Sequence, residues 1–430
     1  MIRIAKIALF AAAAMTPVAY AAVEVIGQMT PAEPITHARI AALPIGQQRA
    51  WNVYLDRSVA LMAADKAQLA QERADGTLPT PASPPPGPSG GGGMPLNQPA
   101  KWYAGPEARH VADNIVSFQT PAGGWGKNVD RTGPVRARGE HWVVVEKLPA
   151  NARTAGDDDS WSYVGTIDNN ATTTELRFLA RVQAAVPDAE AGAYRESFLK
   201  GVRYLLNAQF PNGGWPQIYP LQGGYHDALT FNDDALSSVV TVLAEVARRQ
   251  GDYAFVSEAL AAEAKVACNK AIQLILKTQV VVDGKRTIWG QQHDALTLAP
   301  AGARNFEPAA LSSDESADLL IFLMKQAGRS PSVEAAIGDG AAWLKAHAVY
   351  GVAFEKGTDG RKLVPKPGAG PLWSRYYDIK TGKPIFGDRD RTIHSDVNEL
   401  SVERRNGYSW YNTGPAKALA TYDKWVAMKP

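Results

Sequence analysis

Gln119-Thr120-Pro121-Ala122-Gly123-Gly124-Trp125-Gly126-Lys127-Asn128 and Gln209-Phe210-Pro211-Asn212-Gly213-Gly214-Trp215-Pro216-Gln217 are two copies of one pattern, with their tryptophans 90 residues apart. A degenerate third copy begins at Gln279 and reaches Trp289-Gly290-Gln291 through a longer insert. Each copy follows the C-terminal end of an apolar stretch at helical spacing. Phe198, Val202, Leu205 and Leu206 precede the second copy, and Leu236, Val239, Val240, Leu243 and Val246 form the next stripe. A recurring unit of helix, glycine-tryptophan loop and helix predicts helical hairpins arranged in a ring. The expected fold is therefore all-α: an (α/α) toroid or barrel of hairpins whose long irregular loops converge at one end to form a cleft.

Working outward, helical windows fall at 106–119, 172–187, 194–209, 235–250, 258–278, 314–327, 333–348 and 415–428. A further helix over 49–74 carries only a partial stripe, Trp51, Tyr54, Leu55, Val59, Leu61 and Leu69, and is expected to expose much of its surface. Residues 75–101 are rich in proline and then glycine, a composition that packs no core and reads as a linker or disordered insert. At the start, Arg3 and Lys6 precede the apolar run Ile7–Met15 and the small-x-small Ala19-Tyr20-Ala21, the order of a signal peptide. The expected organisation is a signal peptide over 1–21, an N-terminal helical segment over 22–74, the insert over 75–101 and a compact domain over 102–430. The mature chain is expected to be secreted, to the periplasm or the medium, and monomeric.

Of the chain's 430 residues 45% are apolar, ample for a sizeable core. Its 45 basic side chains exceed the acidic ones by two, and Arg3 and Lys6 account for both. With no basic patch, zinc-finger spacing or RNA-binding strand, nucleic acid is excluded as a partner. Nothing after residue 21 is long and apolar enough to span a membrane. Cys268 is the single cysteine, which excludes an internal disulfide framework.

Polar residues gather in the long loops, where a helical scaffold places its chemistry. Thr166-Ile167-Asp168-Asn169-Asn170 and Thr230-Phe231-Asn232-Asp233-Asp234 both stand at helix entrances. Such residues cap free backbone N–H groups, and capping explains either cluster taken singly. Together they also offer several carboxylate and amide oxygens, the hard ligands that calcium prefers. His293-Asp294 invites a catalytic triad, but no Gly-x-Ser-x-Gly elbow accompanies it. Arg304 could equally pair with Glu307 in Ala303-Arg304-Asn305-Phe306-Glu307. Trp373-Ser374-Arg375-Tyr376-Tyr377, Phe386-Gly387-Asp388-Arg389-Asp390-Arg391 and the stretch from Glu403 to Tyr411 interleave arginines with aromatics. That mixture is either a solvated face or a grip on an acidic sugar polymer, arginine forking onto carboxylates and aromatics stacking on sugar faces.

These stretches resemble the family ten polysaccharide lyases, which are pectate lyases, over residues 102–428 and the helix near Trp51. The likeness rests on eight segments in order: those around Trp125, Asp168, Trp215, Asp233, Trp289, Arg304, Glu315 and Arg389. It implies an (α/α) toroid and calcium-dependent β-elimination on polygalacturonate, with Arg304 in the position of the base. It places calcium on Asp168, Asn169 and one acid of the Asp233-Asp234 pair, Asp233 by motif position. Arg389 matches a substrate-binding arginine, and Lys127, Arg375 and Tyr219 complete the expected substrate-binding set. Two departures are the Pro/Gly insert and Arg391, which stands where a glycine is more usual. Two other readings remain at this level. One is a glycoside hydrolase on an acidic polysaccharide using Asp168 and Asp233; the other is a pectin-binding protein without activity.

Overall fold

The computed structural model describes residues 24–75, 84–88, 93–145, 161 and 163–428. The signal-peptide expectation over 1–21 lies outside the described residues, and of the insert over 75–101 only 75, 84–88 and 93–101 lie within them.

Eleven α-helices are present among the described residues: α1 (His37–Ala41), α2 (Ile45–Ala74), α3 (Pro106–Ser117), α4 (Thr173–Ala185), α5 (Gly192–Ala208), α6 (Ala235–Arg248), α7 (Glu258–Thr278), α8 (Ser313–Gln326), α9 (Pro331–Ala346), α10 (Val402–Gly407) and α11 (Gly414–Ala427). Their starts follow from local chemistry. Ser257 and Ser330 accept the backbone N–H groups of Leu260 and Val333, and proline occupies the first turn of α3, α9 and α11. On α6, Leu236, Val239, Val240, Leu243 and Val246 are each at most 1% exposed. Burying such side chains contributes roughly 1.5–3 kcal/mol apiece, far more than helix propensity.

The helices form two layers. α3, α5, α7 and α9 adjoin in succession, as do α4, α6, α8 and α11, and α3 with α4, α4 with α5, α6 with α7, α8 with α9 and α9 with α11 pack across the layers. The glycine-tryptophan loops tie one layer to the other. Trp125, Trp215 and Trp289 are fully buried, and their indole N–H groups donate to Ile115, Leu205 and Ile275, near the ends of α3, α5 and α7, each at 2.7 Å. Their carbonyls accept from Thr166, Thr230 and Ser312, just before α4, α6 and α8. A fourth copy without the glycines exists at Trp373, whose indole donates to Leu344 of α9, also at 2.7 Å.

Strands are short and lie in the loops. Leu229–Thr230, Gln292–His293 and Pro300–Ala301 form one antiparallel sheet, and Val25–Gln28, Thr392–His394 and Phe386–Gly387 another. The hairpin of Val352–Gly357 with Gly360–Pro365 is the longest pairing among the described residues, and no helical period foretells it.

The core crosses the expected domain boundary. α2 leaves much of its surface exposed, as expected, but it is tied to the main body: Trp51 and Tyr54 pack on Phe210 at 5.3 and 5.2 Å, and the Tyr54 hydroxyl donates to Ala208. α2 also buries Asp65 completely, and no side chain among the described residues hydrogen-bonds its carboxylate. No described helix is long and apolar enough to cross a membrane.

Burial raises the Asp65 carboxyl pKa to about 7, only partly offset by the backbone N–H of Ala122 and by Lys200. An acid whose folded pKa lies above its unfolded value folds best protonated. Its penalty is absent below about pH 4, grows between pH 4 and 7 and is complete above. Asp65→Asn is expected to stabilise the fold by on the order of 3 kcal/mol at pH 8 and negligibly at pH 4, read from denaturant melts at both.

Candidate active site

The residue two places after each tryptophan is aimed by the loop that the indole fixes. Lys127, Gln217 and Gln291 all line one polar cleft of about 190 Å³ together with Asp168, Asp233 and Arg304. Arg375 holds the same place after Trp373.

Two loop-to-helix junctions supply the acids. Asn169 and Asn170 adopt φ of 51° and 62°, and Asp233 and Asp234 adopt 50° and 57°. Asn and Asp tolerate this left-handed region better than most residues. The capping explanation does not hold here: the helix entries at Thr172 and Asp234 make no side-chain cap bond. The twisted turns send the oxygens toward the cleft. Asp168 is 4% exposed and accepts from Lys127 Nζ at 2.9 Å and Gln217 Nε2 at 2.8 Å. Lys127 Nζ also stands 3.5 Å from the Tyr163 ring centroid. Asp233 accepts from Asn232 Nδ2 at 2.7 Å. Desolvation, with Asp168 and Glu315 as like charges, pushes its carboxyl pKa upward. Asp234 instead faces Asp318, whose carboxyl is carried to about 8 by burial and by Asp234 itself.

Across the cleft Glu307, 1% exposed, clamps Arg304. Arg304 Nε donates to Glu307 Oε2 at 2.8 Å and Nη2 donates to Oε1 at 2.5 Å. Tyr408 donates to the same Oε1 at 2.7 Å. Burial would raise the Glu307 carboxyl, but the Arg304 guanidinium outweighs it and holds the pKa at about 2. Burial likewise works against the Arg304 charge, and Glu307 more than reverses it, holding the guanidinium above its ordinary pKa. The pairing foreseen for Arg304 is thus real, and it leaves the side chain 39% exposed toward the cleft.

Arg389 joins this group. Its guanidinium lies 5.0 Å from the Phe306 ring, whose other side neighbours Arg304 at 4.9 Å, and it pairs with Glu403 at 3.1 Å. Arg391 has φ 72°, the backbone region that explains why glycine would be usual there. The remaining expected contacts stand elsewhere. Tyr219 is 1% exposed, its ring among Tyr54 and Tyr204 and its hydroxyl accepting from Arg57, so it is a core residue and not a cleft residue. Arg375 is 8% exposed and lies behind the cleft, ion-paired to Glu315 and 4.9 Å from the Tyr408 ring. Trp373, Tyr376, Tyr377 and Trp410 are buried too, and offer no face to a sugar. His293 is buried between Leu298 O and Gly290 N, its pKa lowered to about 4 by burial, while Asp294 pairs with Arg39. No triad exists there.

Gln217, Gln291, Tyr163 and Tyr225 also line the cleft. The repeat carried a signal for the two glutamines, at the position of Lys127. Nothing in the sequence distinguished the tyrosines.

The comparisons with known proteins bear on this arrangement. The family model described as pectic acid lyase matches residues 119–419, which include every cleft residue named above. The chain belongs to the pectic acid lyase family. Two solved structures are similar to it, both of the family 10 polysaccharide lyase from Cellvibrio cellulosa. An aspartate-to-alanine mutant in complex with trigalacturonic acid is 31% identical, with TM-score 0.63, over 77% of this chain and 98% of that one. The enzyme without that description of a ligand is also 31% identical, with TM-score 0.63, over 78% and 98%. No curated protein matches the sequence. This polysaccharide lyase carries its arginine and its acids in the lining of one cleft.

The donor set of the lyase fits a hard divalent cation. Asp168, Asn169 and Asp233 offer hard oxygen ligands, and burial, with the charge of Asp168, pushes the Asp233 carboxyl upward. Gln217 Oε1 is buried beside them without a hydrogen-bond partner among the described residues. Among those residues no cluster of three His, Cys, Asp or Glu side chains forms a metal site, so an amide ligand such as Asn169 is required.

Glu307 also makes an acid-side prediction. Its folded pKa lies below the unfolded value, so its contribution is present above about pH 4.5 and is lost as pH falls through 2. Glu307→Gln is expected to cost about 2 kcal/mol at pH 7, discounted because Arg304 is partly solvated, and the gap to wild type in thermal melts should close near pH 2.

Proposed function

We propose that this lyase cleaves polygalacturonate by calcium-dependent β-elimination, with Arg304 taking the proton from the sugar carbon next to the carboxylate. The observation that carries this reading is that Arg304 lines the same cleft as Asp168 and Asp233, together with Lys127. A calcium ion held by Asp168, Asn169 and Asp233 would supply positive charge to the uronate carboxylate and so acidify the neighbouring C–H.

The chain's own residues do the rest. Glu307 engages Nε and Nη2 of Arg304, which leaves Nη1 as the nitrogen to face the sugar. The C–H electron pair forms a double bond conjugated to the carboxylate, the bond to the glycosidic oxygen breaks, and that oxygen is reprotonated from solvent. Lys127 and Arg389 hold further carboxylates of the acidic chain. Arg375 contributes indirectly, through Glu315 behind the acids. We also read the two helical layers as the arc of an (α/α) toroid, residues 1–21 as an export signal, and the mature enzyme as a monomer.

The test follows ultraviolet absorbance of polygalacturonate with the mature enzyme. Absorbance from the conjugated product should rise with calcium and stop with a chelator; new reducing ends without absorbance would instead indicate hydrolysis. Arg304→Ala should lower kcat by about a thousandfold, within the span of a lost general base. Because Glu307 holds Arg304 cationic, only loss of a proton at high pH makes it a base, so the rate should climb on the alkaline side. An acidic optimum would overturn its role.

A further inference from the structure

Pro84-Pro85-Pro86-Gly87-Pro88 belongs to the stretch expected as a linker, yet these five residues are bonded to the loop that carries Lys127. Gly87 N donates to Asn128 O at 2.7 Å, Asp130 N donates to Pro85 O at 3.2 Å, and Pro86 pairs antiparallel with Val129. Proline rings fix φ, so the strap loses little chain entropy on docking. A Cβ on Gly87 would stand 2.8 Å from Asp130 Cα and N. The contact is backbone against backbone and admits no larger residue.

The strap walls one side of a trough of about 390 Å³. Lys127 and Asn169 line both this trough and the catalytic cleft, so the two spaces adjoin. The acids in the trough are already engaged. Glu175 pairs with Arg131 at 3.0 Å, both buried, and Asp130 Oδ1 accepts from the backbone and hydroxyl of Thr132 at 2.9 and 2.8 Å. Arg131 is 6% exposed and its Nη1 has no hydrogen-bond partner among the described residues. The trough otherwise presents amides and hydroxyls, with the Lys127 ammonium, held by Asp168, at its border with the cleft, which suits a hydroxylated, anionic sugar. Beyond Thr132 the trough meets an apolar recess beside the half-buried Trp102.

We propose that the strap builds a distal subsite for a further uronate sugar of the same polymer chain, so that this insert sets a preference for longer chains. The proposal rests on reading the neighbouring cleft as the site that takes polygalacturonate. It is tested by calorimetric titration of trigalacturonate and hexagalacturonate with calcium, in an Arg304→Ala background that keeps the chains intact. The hexamer should bind about tenfold more tightly than the trimer. Gly87→Val, which forces the strap off its loop, should abolish that gain and leave trimer affinity within about twofold. Thr132→Glu is an independent variant: the residue is exposed, its replacement leaves the strap's bonds intact, and the added carboxylate repels a uronate. An unchanged gain in both variants, or no gain in the parent, would overturn the subsite. A gain lost in both variants of an enzyme that forms no conjugated product would uphold the subsite and defeat the elimination reading.

Discussion

The structure depends on one hydrogen bond made four times. An indole N–H is only a donor, and once buried it must find an acceptor or cost the fold its desolvation. Trp125, Trp215, Trp289 and Trp373 all find a carbonyl near the end of the preceding helix at 2.7 Å. The bond pins the loop to its own helix, and the tryptophan carbonyls of the first three then reach across to Thr166, Thr230 and Ser312 before α4, α6 and α8. With the loop held at both ends, the side chain two residues on has little freedom of direction. That is how Lys127, Gln217 and Gln291 meet in one cleft although they are far apart in the chain.

α4 and α6 begin with a second constraint. Left-handed backbone at Asn169, Asn170, Asp233 and Asp234 is unfavourable for most side chains, and here four such residues cluster at two helix entries. Ordinary caps would have turned these oxygens onto backbone N–H groups. The twisted entries release them, so that Asp168 and Asp233 face one another at an electrostatic cost visible in the raised Asp233 pKa. Glu307 provides the opposite case: a buried carboxylate stabilised by Arg304, which in turn fixes how that guanidinium is presented. Acids that repel and an arginine that is clamped are consistent with a cleft built to receive both a cation and a polyanion.

Sequence alone determined the helical windows, because apolar residues at a period of 3.6 have no other way to share a face. It also exposed three of the four tryptophan loops, since their glycines and spacing repeat, and through eight ordered segments it pointed to the lyase family. The fourth copy was hidden because Trp373 lacks the glycines, and the structure finds it by its bond to Leu344 alone. Only tertiary structure decided which chemistry-bearing residues face the cleft. Tyr219 and Arg375 sit in motifs as persuasive as that of Lys127, but packing against Tyr54 buries the first and the Glu315 carboxylate holds the second. The sequence could not separate α2 from the main body or the proline strap from a loose linker. Aromatic contacts with Phe210 and backbone bonds to Asn128 and Asp130 are made between residues distant in the chain, and local pattern holds no record of such partners.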